Sequence, residues 1–347
     1  MKRYLITLFI AFTLSTTTAH ANDTAFGGSG ASPMPIKTGD VAMVDEHIVI
    51  AGGDITREGQ ADSWHINCDF TFTNSSNKPV TLTMGFPFPV RDEMDAVSSP
   101  KGRDPKVGDP LVYDFKVWIR GKLVSTKKTK IAPNPKEGFY YKDAYIWNMT
   151  FQPNETVKVR HTYTTGITHD AMGYSWASYV LKTGGMWKGG RIGRSVLEVM
   201  PNEITKLCNE LETESAPYLE PKPKGIKTIG KRKNRKYTWD LKNFKPTEDM
   251  HICMQTGINF IRWTLIYKML YMSDQPDKDL QKKSADELRR FRNTIFAQYG
   301  RMFKDQKLQA YFDKQWWYTR NPDYSDKVLT KDDKKAIARI SKVESQK

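Results

Sequence analysis

Between Val44 and about Val199 apolar and polar residues alternate with a period of two. Trp64, Ile66, Cys68, Phe70 and Phe72 alternate with His65, Asn67, Asp69, Thr71 and Thr73, the pattern of strands with one face buried and one wet. The NSSNKP segment (74–79) carries turn chemistry. Val80, Leu82, Met84 and Phe86 then resume the alternation, so the two runs predict a hairpin. Three more hairpins are predicted the same way. VYDFKVWIRGKLVSTKKTKI turns at Arg120-Gly121-Lys122, AYIWNMTFQPNETVKVRHTYTT turns at Gln152-Pro153-Asn154-Glu155, and GIKTIGKRKNRKYTWDLKNF turns in its basic centre. Several short-turned hairpins predict a mainly β, sandwich-like N-terminal region of one or two sub-domains. One helix is expected within it, with Asn202 as N-cap and Ile204, Leu207, Cys208 and Leu211 on one face.

The period changes after the polar SDQPD segment (273–277). Ser284-Ala285-Asp286-Glu287 reads as a capping box. Leu288, Phe291, Ile295, Tyr299 and Met302 follow at helical spacing, and Gly300 suits the helix end. Asp305 opens a second helix carrying Leu308, Tyr311 and Phe312. Thr330 opens a third through Ile337 and Ile340. The expected organisation is a β-rich region at 22–257, a connecting segment at 258–283 and a small all-α module at 284–343. The apolar run INFIRWTLIYKMLYM (258–272), broken by Arg262 and Lys268, is too short for a membrane span and reads as a buried helix or strand pair.

The N-terminus sets the compartment. Lys2 and Arg3 precede a short apolar run, and Ala19-His20-Ala21 offers a cleavage site, so residues 1–21 read as a secretory signal; an uncleaved anchor is the alternative. Its removal leaves 326 of 347 residues and takes two of the 54 basic residues, so 52 face 39 acidic ones and the net charge is about +13. An exported basic chain is expected to meet anionic envelope polymers, cell-wall glycan among them, or envelope proteins, rather than nucleic acid. In an oxidising compartment Cys208 and Cys253 could pair, worth about 4 kcal/mol on the chain-entropy model; free buried thiols are the alternative. Cys68 reads as a small core residue.

RNTIFAQYGRMFKDQKLQAYFDKQWWYTRNPDYSDKVLTKDDKKAIARI, from Arg292 onward, resembles the YARHG domain, a short module of exported bacterial proteins. Arg292, Asn293, Ile295, Ala297, Gly300, Phe303, Leu308, Tyr311, Phe312, Trp317 and Tyr318 stand in register. The eponymous five residues read FAQYG, so Gln298 and Tyr299 replace the family's Arg and His, which puts any charge-based or acid–base role of that pair in doubt. The resemblance implies association with cell-wall material. ANDTAFGGSGASPMPIKTGDVAMVDEHIVI, with FTNSSNKPVTLTMGFPFP and YVLKTGGMWKGGRIGRSVLEV, resembles a second exported family, domain of unknown function 4424, over roughly 22–255. That likeness implies architecture and no activity.

Within the module, Trp316, Trp317 and Tyr318 could stack sugar rings, with Arg301 and Arg320 holding anionic groups. A domain this small also needs large aromatics simply to fill its core. Phe291, Tyr311 and Phe312 are expected there, and of the adjacent pair Trp316 and Trp317 one is expected to point in and one out. In the β region, TGGMWKGGRIG (183–193) lacks phosphate-loop spacing and reads as a glycine-rich loop presenting Trp187 and Arg191 on the surface. KRKNRK (231–236) reads as a solvated basic turn. His161, His169 and Asp170 are too few for a zinc site, and Asp92-Glu93-Asp95 is a short acidic loop. No nucleophile elbow, H-E-x-x-H or reactive-cysteine context appears, and no cofactor is expected. Three readings remain open. They are a non-enzymatic envelope-binding protein, a hydrolase of envelope glycan or peptide acting near the glycine-rich loop, and a structural protein whose helical module docks on its own β region.

Overall fold

The computed structural model describes residues 24–27, 34–35, 39–53, 61–91, 99–133, 141–211 and 219–347. The expected export segment and the acidic loop Asp92-Glu93-Asp95 lie outside them. Three sheets form the N-terminal region. A five-stranded sheet runs β2 (Met34–Pro35), β1 (Thr24–Gly27), β5 (Val80–Phe88), β9 (Asp143–Phe151), β8 (Lys127–Lys130). An eight-stranded sheet runs β15 (Lys227–Ile229), β16 (Lys236–Phe244), β13 (Ile192–Met200), β3 (Val41–Gly52), β4 (Ser63–Asn74), β10 (Thr156–Gly166), β6 (Val112–Ile119), β7 (Lys122–Val124). A four-stranded sheet runs β11 (Thr168–His169), β12 (Tyr174–Tyr179), β17 (Met250–Thr256), β14 (Thr205–Leu207). Phe70 and Phe72 of β4, Phe86 and Phe88 of β5, Trp147 and Phe151 of β9 and Val157 and Val159 of β10 fill one continuous core between the sheets.

Two of the four expected hairpins are hairpins. β6 and β7 pair around Arg120-Gly121, both in the left-handed region, and β15 pairs with β16 around the basic turn. The other two are arches from one sheet to the other. β4 pairs with β3 and β10, whereas β5 pairs with β1 and β9. Both strands alternate because each buries one face against the shared core, and alternation does not distinguish a neighbour in the same sheet from a partner across the sandwich. Asn74, fully buried, pins both arches: its amide donates to the carbonyls of Lys78 and Gln152 at 2.9 Å each, while its Oδ1 accepts from the Ser76 backbone N–H at 3.0 Å.

The helix expected from Asn202 is absent among the described residues. Asn202 takes φ 63°, Thr205–Leu207 form β14 on the edge of the four-stranded sheet, and Cys208–Glu210 make a single 3-10 turn. Cys208 and Cys253 are joined by a disulfide, which holds that edge strand's end against β17. Cys68 is buried and takes no part in that disulfide.

The segment 258–283, read as a connector with a buried helix or strand pair at 258–272, is helical. Short α1 (Gly257–Ile261) passes into a π-helix over Arg262–Met272, and α2 (Pro276–Gln281) follows. Then come α3 (Ala285–Ala297), α4 (Gln306–Asp313) and α5 (Lys331–Glu344). Capping boxes at Ser284–Glu287 and Thr330–Asp333 and the Asp305 cap fix their starts, and Gly300 ends α3 at φ 89°. Ile261, Ile266, Met269 and Leu280 share one core with Leu288, Ile295, Phe312, Trp317 and Ile340. Phe291 packs against this core from its rim, and Tyr311, expected inside, is 40 % exposed. No helix among the described residues is long and apolar enough to cross a membrane.

Candidate functional site

The aromatic–basic run of the module is mostly interior. Trp317 and Tyr318 are buried, and the Tyr318 hydroxyl donates to the Arg301 carbonyl at 2.9 Å. Gly257 lies so close to Trp317 that a Cβ there would fall 2.7 Å from the Trp317 Cβ. Trp316 is half-buried and contributes to two clusters. It packs on Phe260 with ring centroids 5.4 Å apart and against the patch of Tyr174, Trp176 and the Cys208–Cys253 disulfide. It therefore joins the helical module to the outer face of the four-stranded sheet. A second joint is polar: Arg232 of the basic turn donates to the Asp313 carbonyl at the end of α4, at 3.3 Å.

The expected anion-holding cations are already engaged. Arg320 pairs with Asp313 through two bonds of 2.5 and 3.0 Å. The Arg301 guanidinium lies 4.6 Å from the Phe296 ring centre and 3.9 Å from the Asp326 carboxylate. Trp187 is not presented on the surface. It is 2 % exposed and tilts against Phe72 at 4.4 Å, because the two 3-10 turns of the glycine-rich loop fold its indole into the sandwich core. Arg191 stays exposed and donates to the Asn243 carbonyl at 2.7 Å. The structure thus does not assemble Trp316, Trp317, Tyr318, Arg301, Arg320, Trp187 and Arg191 into one open site.

The eponymous positions are structural as well. Gln298 Nε2 and the Tyr299 hydroxyl donate to the two oxygens of Asp333 at 3.1 and 2.8 Å, and Asp333 also accepts the Thr330 backbone N–H at 2.7 Å. Burial, and then the Asp333 charge, push the Tyr299 phenol far up, with Arg262 of the π-helix opposing. These side chains lock α3 to the start of α5.

His161 and His169 are also separated in role. His161 is wholly buried with Phe70, Trp147 and Phe115 at 5.2, 5.3 and 5.4 Å, and burial pushes its imidazole down to about 3. His169 Nδ1 meets the Ser175 hydroxyl at 2.9 Å. Among the described residues no group of three or more His, Cys, Asp or Glu could hold a metal ion.

Two concavities lie among the described residues. One, at the end of the sandwich, is lined by Trp64, Tyr163, Trp176 and Ser178 and offers only about 20 Å³, room for a water-sized guest. The other is an open cleft of about 440 Å³ on the helical module, within the range of small-molecule sites. Leu270 and Tyr271 at the end of the π-helix form one wall, α5 gives Lys335, Arg339 and Lys342, and Asp277 closes an end. Three and four residues apart on one helix, these cations share a face. Tyr271, 61 % exposed, is steadied by its hydroxyl donating to Asp332 at 2.8 Å. Lys335 also reaches Asp332, at 3.2 Å, and Arg339 reaches Asp277 at 2.6 Å. Arg339 and, less strongly, the Lys342 charge hold the Asp277 carboxyl below the usual carboxylate range. The cleft carries three cations against Asp277 and Asp332, a surplus of one, beside an exposed aromatic ring. It escaped the sequence reading because its walls stand 64 positions apart, Tyr271 against Lys335. The remaining signal was the run of aromatics four apart, Trp263, Tyr267 and Tyr271, within the stretch read as core.

The YARHG domain model matches residues 264–345, and the model of a domain of unknown function, DUF4424, matches 21–134 and 130–174. Among solved structures, a "putative nutrient binding protein" from Legionella pneumophila is 47 % identical over 93 % of this chain and 100 % of that one, with a TM-score of 0.82. An M1 zinc metallopeptidase from Deinococcus radiodurans is 9 % identical over 64 % of this chain and 44 % of that one. Its TM-score of 0.28 is too low to argue from. No curated protein matches the chain.

Proposed function

The chain belongs to the same family as the Legionella protein, with a DUF4424 region ahead of a YARHG domain, and from that premise we propose that it is an exported, non-enzymatic envelope protein that binds an anionic envelope component through the cleft of its helical module. The observation that carries this reading is the cleft itself, where Lys335, Arg339 and Lys342 face Tyr271 in an open space of about 440 Å³. The net charge of about +13 expected for the mature chain favours the same class of ligand, drawing polyanions in at low salt. That the Legionella relative is described as a nutrient binding protein supports binding over catalysis. The β region, joined to the module through Trp316 and Arg232, serves on this reading as its rigid support.

The test is co-sedimentation of the purified chain 22–347 with cell-wall sacculi and with anionic membrane vesicles across rising salt. Binding to either that weakens with salt, and that drops in a Lys335→Gln/Lys342→Gln double variant of unchanged melting temperature, supports the reading. Salt-independent binding, or binding the double variant leaves intact, overturns it.

A further inference from the structure

The cleft is the end of a longer feature. Trp263, Tyr267 and Tyr271 recur every fourth residue along the π-helix, and their rings meet edge to face in sequence, with centroids 5.0 and 5.8 Å apart and planes inclined by 87° and 61°. Trp263 and Tyr267 are half-buried and Tyr271 exposed. The row begins at the β region, where the Trp263 Nε1 would lie 2.8 Å from a Cβ on Gly173, and ends on the cleft wall. We infer that this row is an aromatic track along which a chain of sugar rings lies and that the cleft receives the sugars' carboxylates, so that the ligand class is an extended acidic polysaccharide. The inference rests on the cleft reading above and names its ligand.

The chemistry of the row decides among polyanions. A polymer of phosphates needs cations alone, and three rings in a row add nothing to its binding. A membrane surface would call for apolar tips standing clear of the fold, whereas Tyr267 packs against the helical core, Trp263 lies against Gly173 of the β region, and both only partly face solvent. Tryptophan and tyrosine rings present an apolar face beside a polar N–H or O–H, which matches a sugar's C–H face and its hydroxyls. On α5, the steps from Lys335 to Arg339 and from Arg339 to Lys342 rise about 6 and about 4.5 Å along the axis, a spacing near one sugar unit. Asp332 and Asp277 already hold Lys335 and Arg339, so the surplus cation is Lys342, and neighbouring ligand carboxylates reach the other two by exchanging with those aspartates.

The test uses the chain 22–347 with three soluble probes: alginate, a carboxylate-bearing polysaccharide; polyphosphate, which has charge but no rings; and dextran, which has rings but no charge. The expected result is binding of alginate and no measurable binding of dextran. Tyr271→Ala should weaken alginate binding about tenfold, on the scale of one lost aromatic contact, while Tyr271→Phe keeps it. Polyphosphate binding should be unchanged in Tyr271→Ala and lost in Lys335→Gln/Lys342→Gln. All three positions are substantially exposed, so the variants should fold; matching melting temperatures check this. If Tyr271→Ala leaves alginate binding intact, the track is wrong and the cleft remains a pure charge site. If neither polyanion binds even at low salt, both readings fall together.

Discussion

Glu46 offers a measurement in which one buried carboxyl can be isolated by its pH dependence. It lies on β3 with no exposed surface, directly opposite Ser195 of β13, whose hydroxyl donates to it at 2.5 Å. Burial pushes its carboxyl up to about 7, with the Ser195 bond opposing and the Asp45 charge reinforcing. A raised carboxyl pKa means that the folded state holds a proton the unfolded chain has released. The stability this contributes is fully present below the unfolded value of 4.5 and is lost as pH rises through about 7. At about 1.4 kcal/mol per pH unit, the loss amounts to about 3 kcal/mol. Glu46→Gln keeps an acceptor for Ser195 and never ionises. Urea unfolding of the disulfide-intact wild type and variant at pH 4.5, 6 and 8 should show the variant gaining on wild type by about 3 kcal/mol across that range, with unchanged m. Glu203, also raised to about 7 by burial, titrates identically in both proteins and cancels in the difference. Two curves running parallel from pH 4.5 to 8 would show that Glu46 is charged or hydrated in the fold, and the argument would be wrong.

His161 has the opposite sign. Its folded value of about 3 lies below the ordinary 6.5, so its contribution is present above 6.5 and lost as pH falls toward 3; His161→Phe should lessen acid destabilisation in denaturant titrations between pH 6 and 4. Trp317→Ala removes a buried indole and should cost about 3–5 kcal/mol, whereas Trp316→Ala should cost less and instead raise protease cleavage between the module and the four-stranded sheet. Reducing the Cys208–Cys253 bond, which closes a loop across 45 positions, should cost about 4 kcal/mol in a thermal or urea melt. Tyr299→Phe leaves Asp333 short of one donor and should cost about 1–3 kcal/mol; calorimetry against wild type reads it.

The strands of the β region were legible because the Phe70–Phe72 and Phe86–Phe88 faces obey a period that any half-buried strand must obey. Their partners were not, because an arch pinned by Asn74 and a hairpin turn share the same polar residues. The helices of the module were legible from their caps, since Ser284, Asp305 and Thr330 satisfy backbone donors locally. The helix expected at 202–211 failed for the complementary reason: Leu207 and Cys208 are held by β17 and a disulfide, tertiary constraints stronger than local periodicity. Adjacent aromatics were visible as a candidate surface, yet adjacency on the chain assigns no direction, and Trp317, Tyr318 and Trp187 all turn inward. The cleft needed the packing of α5 on the π-helix, which no local pattern announces.

The parallel join between β3 and β13 bears on how the chain becomes a protein at all. β3 meets β4 almost at once, but its other side waits for residues some 150 positions further on, with Glu46 and Ser195 separated by 149. Contacts this remote are slow to form. Until they do, a strand of twelve residues offers a row of unpaired amides and carbonyls along one side. A ribosome-bound or truncated chain that stops before Ile192 carries that open edge permanently, so dissection of the β region should yield aggregates, and successful expression depends on keeping the last third of the β region attached to the first strand it completes.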